Sequence, residues 1–165
     1  MLTPLAVKGG MIHIAHHAFS KITLFMAAGA IYVATRTKKI SLMGGMGWRM
    51  PFTFGAFAVA SLSMIGVPPV CGFVSKWYMA QGAVHIHHYL LLAALLASTL
   101  LNAGYFGPIV YKAFFAPAAP GVRLEEYREA PMAMVAPLCL TALISVLLGL
   151  FPELFSNFIS IFKGF

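Results

Sequence analysis

The chain has 165 residues, of which 61% are hydrophobic and only 9% charged. A soluble domain carries roughly 25% charged residues, so a water-facing enzyme or a nucleic-acid binder is excluded, despite a net charge of +7. The charges punctuate long apolar runs and form no basic arm. At about 20 to 25 residues per crossing, this length allows about four or five spanning helices in one small bundle. The stretch from Met1 to Lys8 and the apolar run after it lack the pattern of a cleaved signal peptide.

The fold predicted is all-α, a polytopic membrane helix bundle of about four transmembrane helices, spanning residues 1–165 as one domain. The first helix is expected over about 10–35, ending at a basic, Gly-rich loop that carries Arg36, Lys38, Lys39 and Arg49. The second, about 50–82, opens at Pro51, a residue suited to a first helical turn. It is broken in the middle by the run from Gly66 to Gly72, because Pro68 and Pro69 remove two backbone donors and clash with the preceding turn. A His-rich turn (His85, His87, His88) leads to the third helix, about 89–115, with a kink expected at Gly107-Pro108. A loop follows with three prolines and Glu125, Glu126 and Glu129, then a fourth helix, about 132–151, and an apolar tail to Phe165 read as interfacial. Cys71 and Cys139 fall in apolar segments and read as reduced packing residues.

Basic residues are retained on the cytoplasmic side of membrane proteins. The loops 36–49 and 116–131, together with Lys112, hold Arg36, Lys38, Lys39, Arg49, Arg123 and Arg128. These loops are therefore placed in the cytoplasm, and both termini and the turn 83–88 outside, in a cell inner (plasma) membrane.

Ionisable residues inside a membrane cost about 2.5–3.5 kcal/mol each on insertion scales, and two lysines call for an explanation on that ground. Lys21 lies about eleven residues into the first helix, roughly 16 Å along it and near the midplane of a core about 30 Å thick. His13, His17 and Lys21 follow one another at spacings of four, with His16 flanking, so the three read as a ladder on one helical face. Imidazoles take a proton on one nitrogen and release one from the other. Burial of an amine disfavours its charged form, which eases proton exchange. A ladder of this kind suits proton movement.

Lys76 follows the break by one turn, where a helix N-terminus disfavours positive charge. Irregular backbone at membrane depth is tolerated where protein buries it or water fills a cavity, and discontinuous helices mark ion pathways in transporters. The expected proton relay is therefore His13, His17, Lys21 and Lys76, supported by His16 and Asn102, with the break at Gly66, Pro68, Pro69 and Gly72. No carboxylate lies at depth, so each lysine is expected to be neutral, hydrated or partnered by another chain. No cofactor and no metal site is expected: the outer histidines lack a carboxylate or thiolate companion, and no second histidine faces His13 or His17 for haem. Gly44, Gly45 and Gly47 form no phosphate loop.

The run from His13 through Lys21 to Phe25, then Met50-Pro-Phe-Thr53, then Gly66-Val-Pro-Pro-Val-Cys-Gly-Phe-Val-Ser-Lys76, then the segment from Leu101 to Phe115 together resemble the antiporter-like membrane subunits. These occur in respiratory complex I (NADH:quinone oxidoreductase), in Mrp-type multisubunit Na⁺/H⁺ antiporters and in membrane-bound hydrogenases, and the likeness reads nearest to the D-type subunit of the Mrp antiporters. The resemblance implies about fourteen helices in two inverted repeats, of which this chain looks like only the last four. It also implies that His17 and Lys21 are central relay residues, with His13 the other relay histidine. Lys76 would be the broken-helix lysine that passes protons to the outer half-channel. The first repeat, with its acid and lysine pair, is absent, as in a fragment.

The function so implied is part of a membrane proton-translocating subunit, acting on protons and in some members Na⁺, among other membrane subunits and lipid, with no redox chemistry of its own. Its alternative is a non-catalytic assembly or structural fragment of such a complex.

Overall fold

The structure is a computed structural model that describes residues 3–153. The C-terminal tail read as interfacial lies outside the described residues. Helix α1 (Pro4–Thr35) starts with Thr3, whose hydroxyl accepts the Ala6 amide at 3.2 Å, and with proline in its first turn. It therefore begins earlier than expected from the sequence. It ends at Arg36, in the left-handed region at φ 55°, whose N–H donates to the Tyr32 carbonyl at 2.8 Å.

The inward face of α1 follows Gly9, Ile12, His16, Ser20, Thr23, Ala27 and Ala30, spaced by three or four. Small and hydroxyl-bearing side chains there let neighbouring helices approach, while Ile14 (74% exposed) and Phe25 (69%) point outward. That is the inside-out pattern of a membrane helix. A Cβ at Gly9 would meet Met79 N at 2.9 Å, and one at Gly82 would meet Ala6 Cβ at 2.7 Å, which shows how closely α1 lies on the helix carrying Met79 and Gly82.

The second crossing is two helices, α2 (Pro51–Ile65) and α3 (Cys71–His85). Each has 15 residues, about 22 Å, too short to cross alone a core about 30 Å thick. Helices α4 (Tyr89–Phe115) and α5 (Met132–Leu150) follow, so among the described residues the four expected crossings appear as five α-helices. Among the described residues, α1, α4 and α5 are long and apolar enough to span a membrane. Pro108 lies within α4, which runs on past it. Helix α1 packs on α2, α3 and α5, while α4 leans on α2 and α3 from outside and buries only Ala113.

The loops after α1 and α4 meet at one end of the bundle. The Trp48 indole donates to the Phe114 carbonyl at 2.8 Å, over a cluster of Ile31, Met43, Met46, Met50, Phe54 and Ala113. Glu129 accepts the Phe52 amide (2.7 Å), the Thr53 amide (3.2 Å) and the Thr53 hydroxyl (2.6 Å). It thereby satisfies the first free N–H groups of α2 from a loop distant in sequence.

Candidate functional site

The break between α2 and α3 is built from its own chemistry. Gly66 ends α2 at φ 88°, and Leu62 O accepts the Gly66 amide at 2.8 Å and the Val67 amide at 3.1 Å. This is a left-handed helix end of the Schellman kind. The remaining C-terminal carbonyls need donors. Lys76 supplies them: its Nζ donates to Met64 O and Ile65 O, each at 2.9 Å, and to the Thr99 hydroxyl of α4 at 3.1 Å.

The expected setting of this amine therefore changes. The lysine begins near the N-terminus of α3, but its ammonium reaches back to the C-terminus of α2, where the dipole favours a cation. Backbone oxygens of the same chain partner it.

Behind the lysine, four helices are joined by a buried polar chain. Ser20 Oγ (α1) donates to Ser63 Oγ (α2) at 2.6 Å, and Ser63 Oγ also accepts the Gly72 amide at 3.2 Å. Cys71 Sγ (α3) lies 3.3 Å from Ser63 Oγ and 3.2 Å from Ser145 Oγ (α5). All four side chains are buried, and both cysteines are free thiols. A Cβ at Gly72 would strike the Ser63 carbonyl, so glycine there permits the closest approach of the two half-helices.

A cavity of about 140 Å³ opens in front of this chain, lined by His13, His16, His17, Ser20, Ser63, Lys76, Ser98 and Asn102, among others. His13 Nδ1 lies 2.9 Å from Ser75 Oγ of α3, and the His13 and His17 ring centroids are 5.7 Å apart. His16 is buried, with the Cys71 backbone as a hydrogen-bond partner. Asn102 Nδ2 lies 3.5 Å from Ser98 Oγ on the same helix. Lys76 also lines a larger, open and mostly apolar groove of about 860 Å³ between α3 and α4, which reaches Trp77, Thr99 and His85. Among the described residues, Lys76 is common to both.

Lys21 stands elsewhere. It is exposed and lines a third, mostly apolar groove of about 390 Å³ with Phe25, Tyr32, Phe57 and Tyr105. The reason is rotational: a step of four residues advances about 40° beyond a full turn, so two steps carry Lys21 about 80° round α1 from His13. Met64 borders both this groove and the histidine cavity.

Thus the structure gathers His13, His16, His17, Lys76 and Asn102 around one cavity and leaves Lys21 in the next. Sequence reasoning missed Ser63, Ser75 and Thr99. Single hydroxyls in apolar helices usually serve packing, and the signal available was their proximity to marked positions: Ser75 adjoins Lys76, Ser63 lies three residues before Gly66, and Thr99 three before Asn102. His85 and His87 are exposed at the opposite end from the basic loops, and His87 Nδ1 lies 3.2 Å from the Tyr89 hydroxyl.

Comparison with known proteins fits this architecture. The chain is 37% identical over 160 residues to NADH-quinone oxidoreductase subunit N of Desulforudis audaxviator, covering 90% of this chain and 32% of that protein. It is 36% identical over 100 residues to the D-type subunit of the Na(+)/H(+) antiporter of Alkalihalophilus pseudofirmus, covering 61% of this chain and 20% of that one. A chain of the Mrp complex from Dietzia sp. superposes with a TM-score of 0.84 at 20% identity, over 94% of this chain and 36% of that chain, and so shares the fold. The present chain therefore spans about a third or less of the length of these relatives. Residues 1–102 match the family described as NADH:quinone oxidoreductase/Mrp antiporter, transmembrane, and with them the chain belongs to that family of membrane subunits.

Proposed function

We propose that the chain forms part of a proton-translocating membrane subunit, in which protons pass among His13, His17 and Lys21 and through Lys76. The observation that carries the reading is the position of Lys76. Among the described residues it is the one that borders both the histidine cavity and the groove that extends towards His85, and it sits on the break between two half-helices. Two imidazoles 5.7 Å apart, with a hydroxyl on one of them, suit stepwise proton transfer through water. Lys21, in the neighbouring groove, is the entry group on the side of the basic loops. In this reading the loops 36–49 and 116–131 face the cytoplasm of a plasma membrane, and the turn 83–88 faces outside. The working partners are protons, Na⁺ in an antiporter setting, and further membrane subunits such as those of Mrp-type or complex I-like assemblies.

The alternative, an assembly or structural role without transport, has one observation in its favour. Helix α4 spans the bundle while burying only Ala113 among the described residues, which leaves a broad face for neighbours. Proton flux in liposomes containing the complete complex decides between them. Lys76→Ala and Lys21→Ala should each lower flux by roughly tenfold or more, equivalent to about 1.4 kcal/mol or more of barrier. Equal flux in all three proteins would sink the relay and leave the assembly role.

A further inference from the structure

The three oxygens around the Lys76 ammonium have a chemistry of their own. Met64 O and Ile65 O, each 2.9 Å from Nζ, are C-terminal carbonyls of α2, and Thr99 Oγ1, at 3.1 Å, is a neutral hydroxyl from α4. The acids among the described residues, Glu125, Glu126, Glu129 and Glu153, stand in a loop or at a helix end and contribute nothing here. A positive charge is held by dipoles alone, at the negative end of a half-helix. Carbonyls of unwound backbone and half-helix C-termini are the oxygen set by which membrane proteins coordinate monovalent cations. Divalent ions call for carboxylates as well.

Two further features make the ammonium a displaceable occupant. The lysine stem crosses the bare backbone of Gly66, where a Cβ would come within 2.8 Å of Lys76 Cδ. Lys76 borders the polar histidine cavity on one side and an apolar groove on the other, which give the side chain somewhere to move. Two unit charges within one seat repel strongly in a medium of low dielectric, so the seat holds one at a time.

We infer that Met64 O, Ile65 O and Thr99 Oγ1 form a binding site for a monovalent alkali cation, which the ammonium of Lys76 fills as a tethered occupant. An entering Na⁺ or K⁺ takes the oxygens and the lysine side chain moves into an adjoining cavity. The inference builds on the transport reading, because it gives that pathway a point where a second cation is exchanged for the charge carried by Lys76.

The test is binding, measured without flux, on the full chain in its complex in lipid nanodiscs, with radioactive Na⁺ and with Rb⁺ standing for K⁺. Lys76→Met removes the tethered occupant and should raise cation affinity about tenfold or more. Adding Thr99→Val should cancel that gain, and Thr99→Ser in its place should keep it. In the unmodified protein, which raises no question of folding, acylation of Lys76 by a membrane-permeant amine reagent should rise with added Na⁺ or K⁺ at constant ionic strength. The site is overturned if Lys76→Met binds no better than the parent, if Thr99→Val leaves that variant's affinity unchanged, or if the labelling of Lys76 is indifferent to the cation. Loss of flux in the relay variants would not produce any of these results, so the two readings fail separately.

Discussion

Gly66 meets two demands at once. Its φ of 88° is a conformation in which an L side chain costs about 1–2 kcal/mol, and the place of its Cβ lies within 2.8 Å of Lys76 Cδ. Gly66→Ala should therefore lower thermal stability by at least that cost and also push the lysine stem off the α2 carbonyls. A melting curve in detergent reads the first effect, and proton flux reads the second. A variant that melted and transported like the parent would remove the role given to this glycine. The sequence marked Gly66 and Lys76 individually, since each is unusual in an apolar run. Their contact was illegible there, because it depends on a side chain reaching back across the break, and neither residue's type fixes that direction. The same holds for Thr99, an ordinary helical hydroxyl until α4 is laid against the break.

At the scale of the elements, a broken crossing has to hold its two halves in register without a continuous ladder of backbone bonds. The Ser20–Ser63–Cys71–Ser145 chain does so by tying α1, α2, α3 and α5 together at the discontinuity, with the Gly72 amide as a fifth member. A buried polar network is costly when only partly satisfied. Cys71→Val, which leaves two hydroxyls without their bridging partner, should destabilise the protein by about 1–3 kcal/mol, whereas Cys71→Ser should be close to neutral. Thermal unfolding of the two variants side by side checks this, and equal losses would point to volume instead of hydrogen bonding.

The double proline located the break within a few residues, because missing donors are a local property. The helix bounds at 10 and 82 were less legible, since capping by Thr3 and continuation to His85 depend on side chains that a hydropathy reading does not weigh. The ladder on α1 was half legible. His13 and His17 share a cavity as their spacing suggests, but the 40° drift per step is large enough to move Lys21 into a different groove.

For the whole molecule, the scarcity of charge was the most readable property, and it fixed the class as a membrane helix bundle. Sidedness is the part to be measured. The loop after α1 is hydrogen-bonded to the end of α4 through Trp48 and Phe114, and the loop after α4 to the start of α2 through Glu129 and Thr53, so the two loops share a face of the membrane. A membrane-impermeant maleimide should label Ser41→Cys and Ala119→Cys only from the cytoplasmic side and His87→Cys only from outside. Labelling of all three from one side would contradict the arrangement of crossings, and exchange of the two sides would reverse the proposed orientation. The native thiols interfere little, since Cys71 is fully buried and Cys139 half-buried.

Met64 belongs to two compartments at once. It borders the groove of Lys21 and the cavity of the imidazoles, and its carbonyl holds the Lys76 ammonium. Any tilt of the last turn of α2 therefore reshapes the lining of both compartments and the hold on the lysine together.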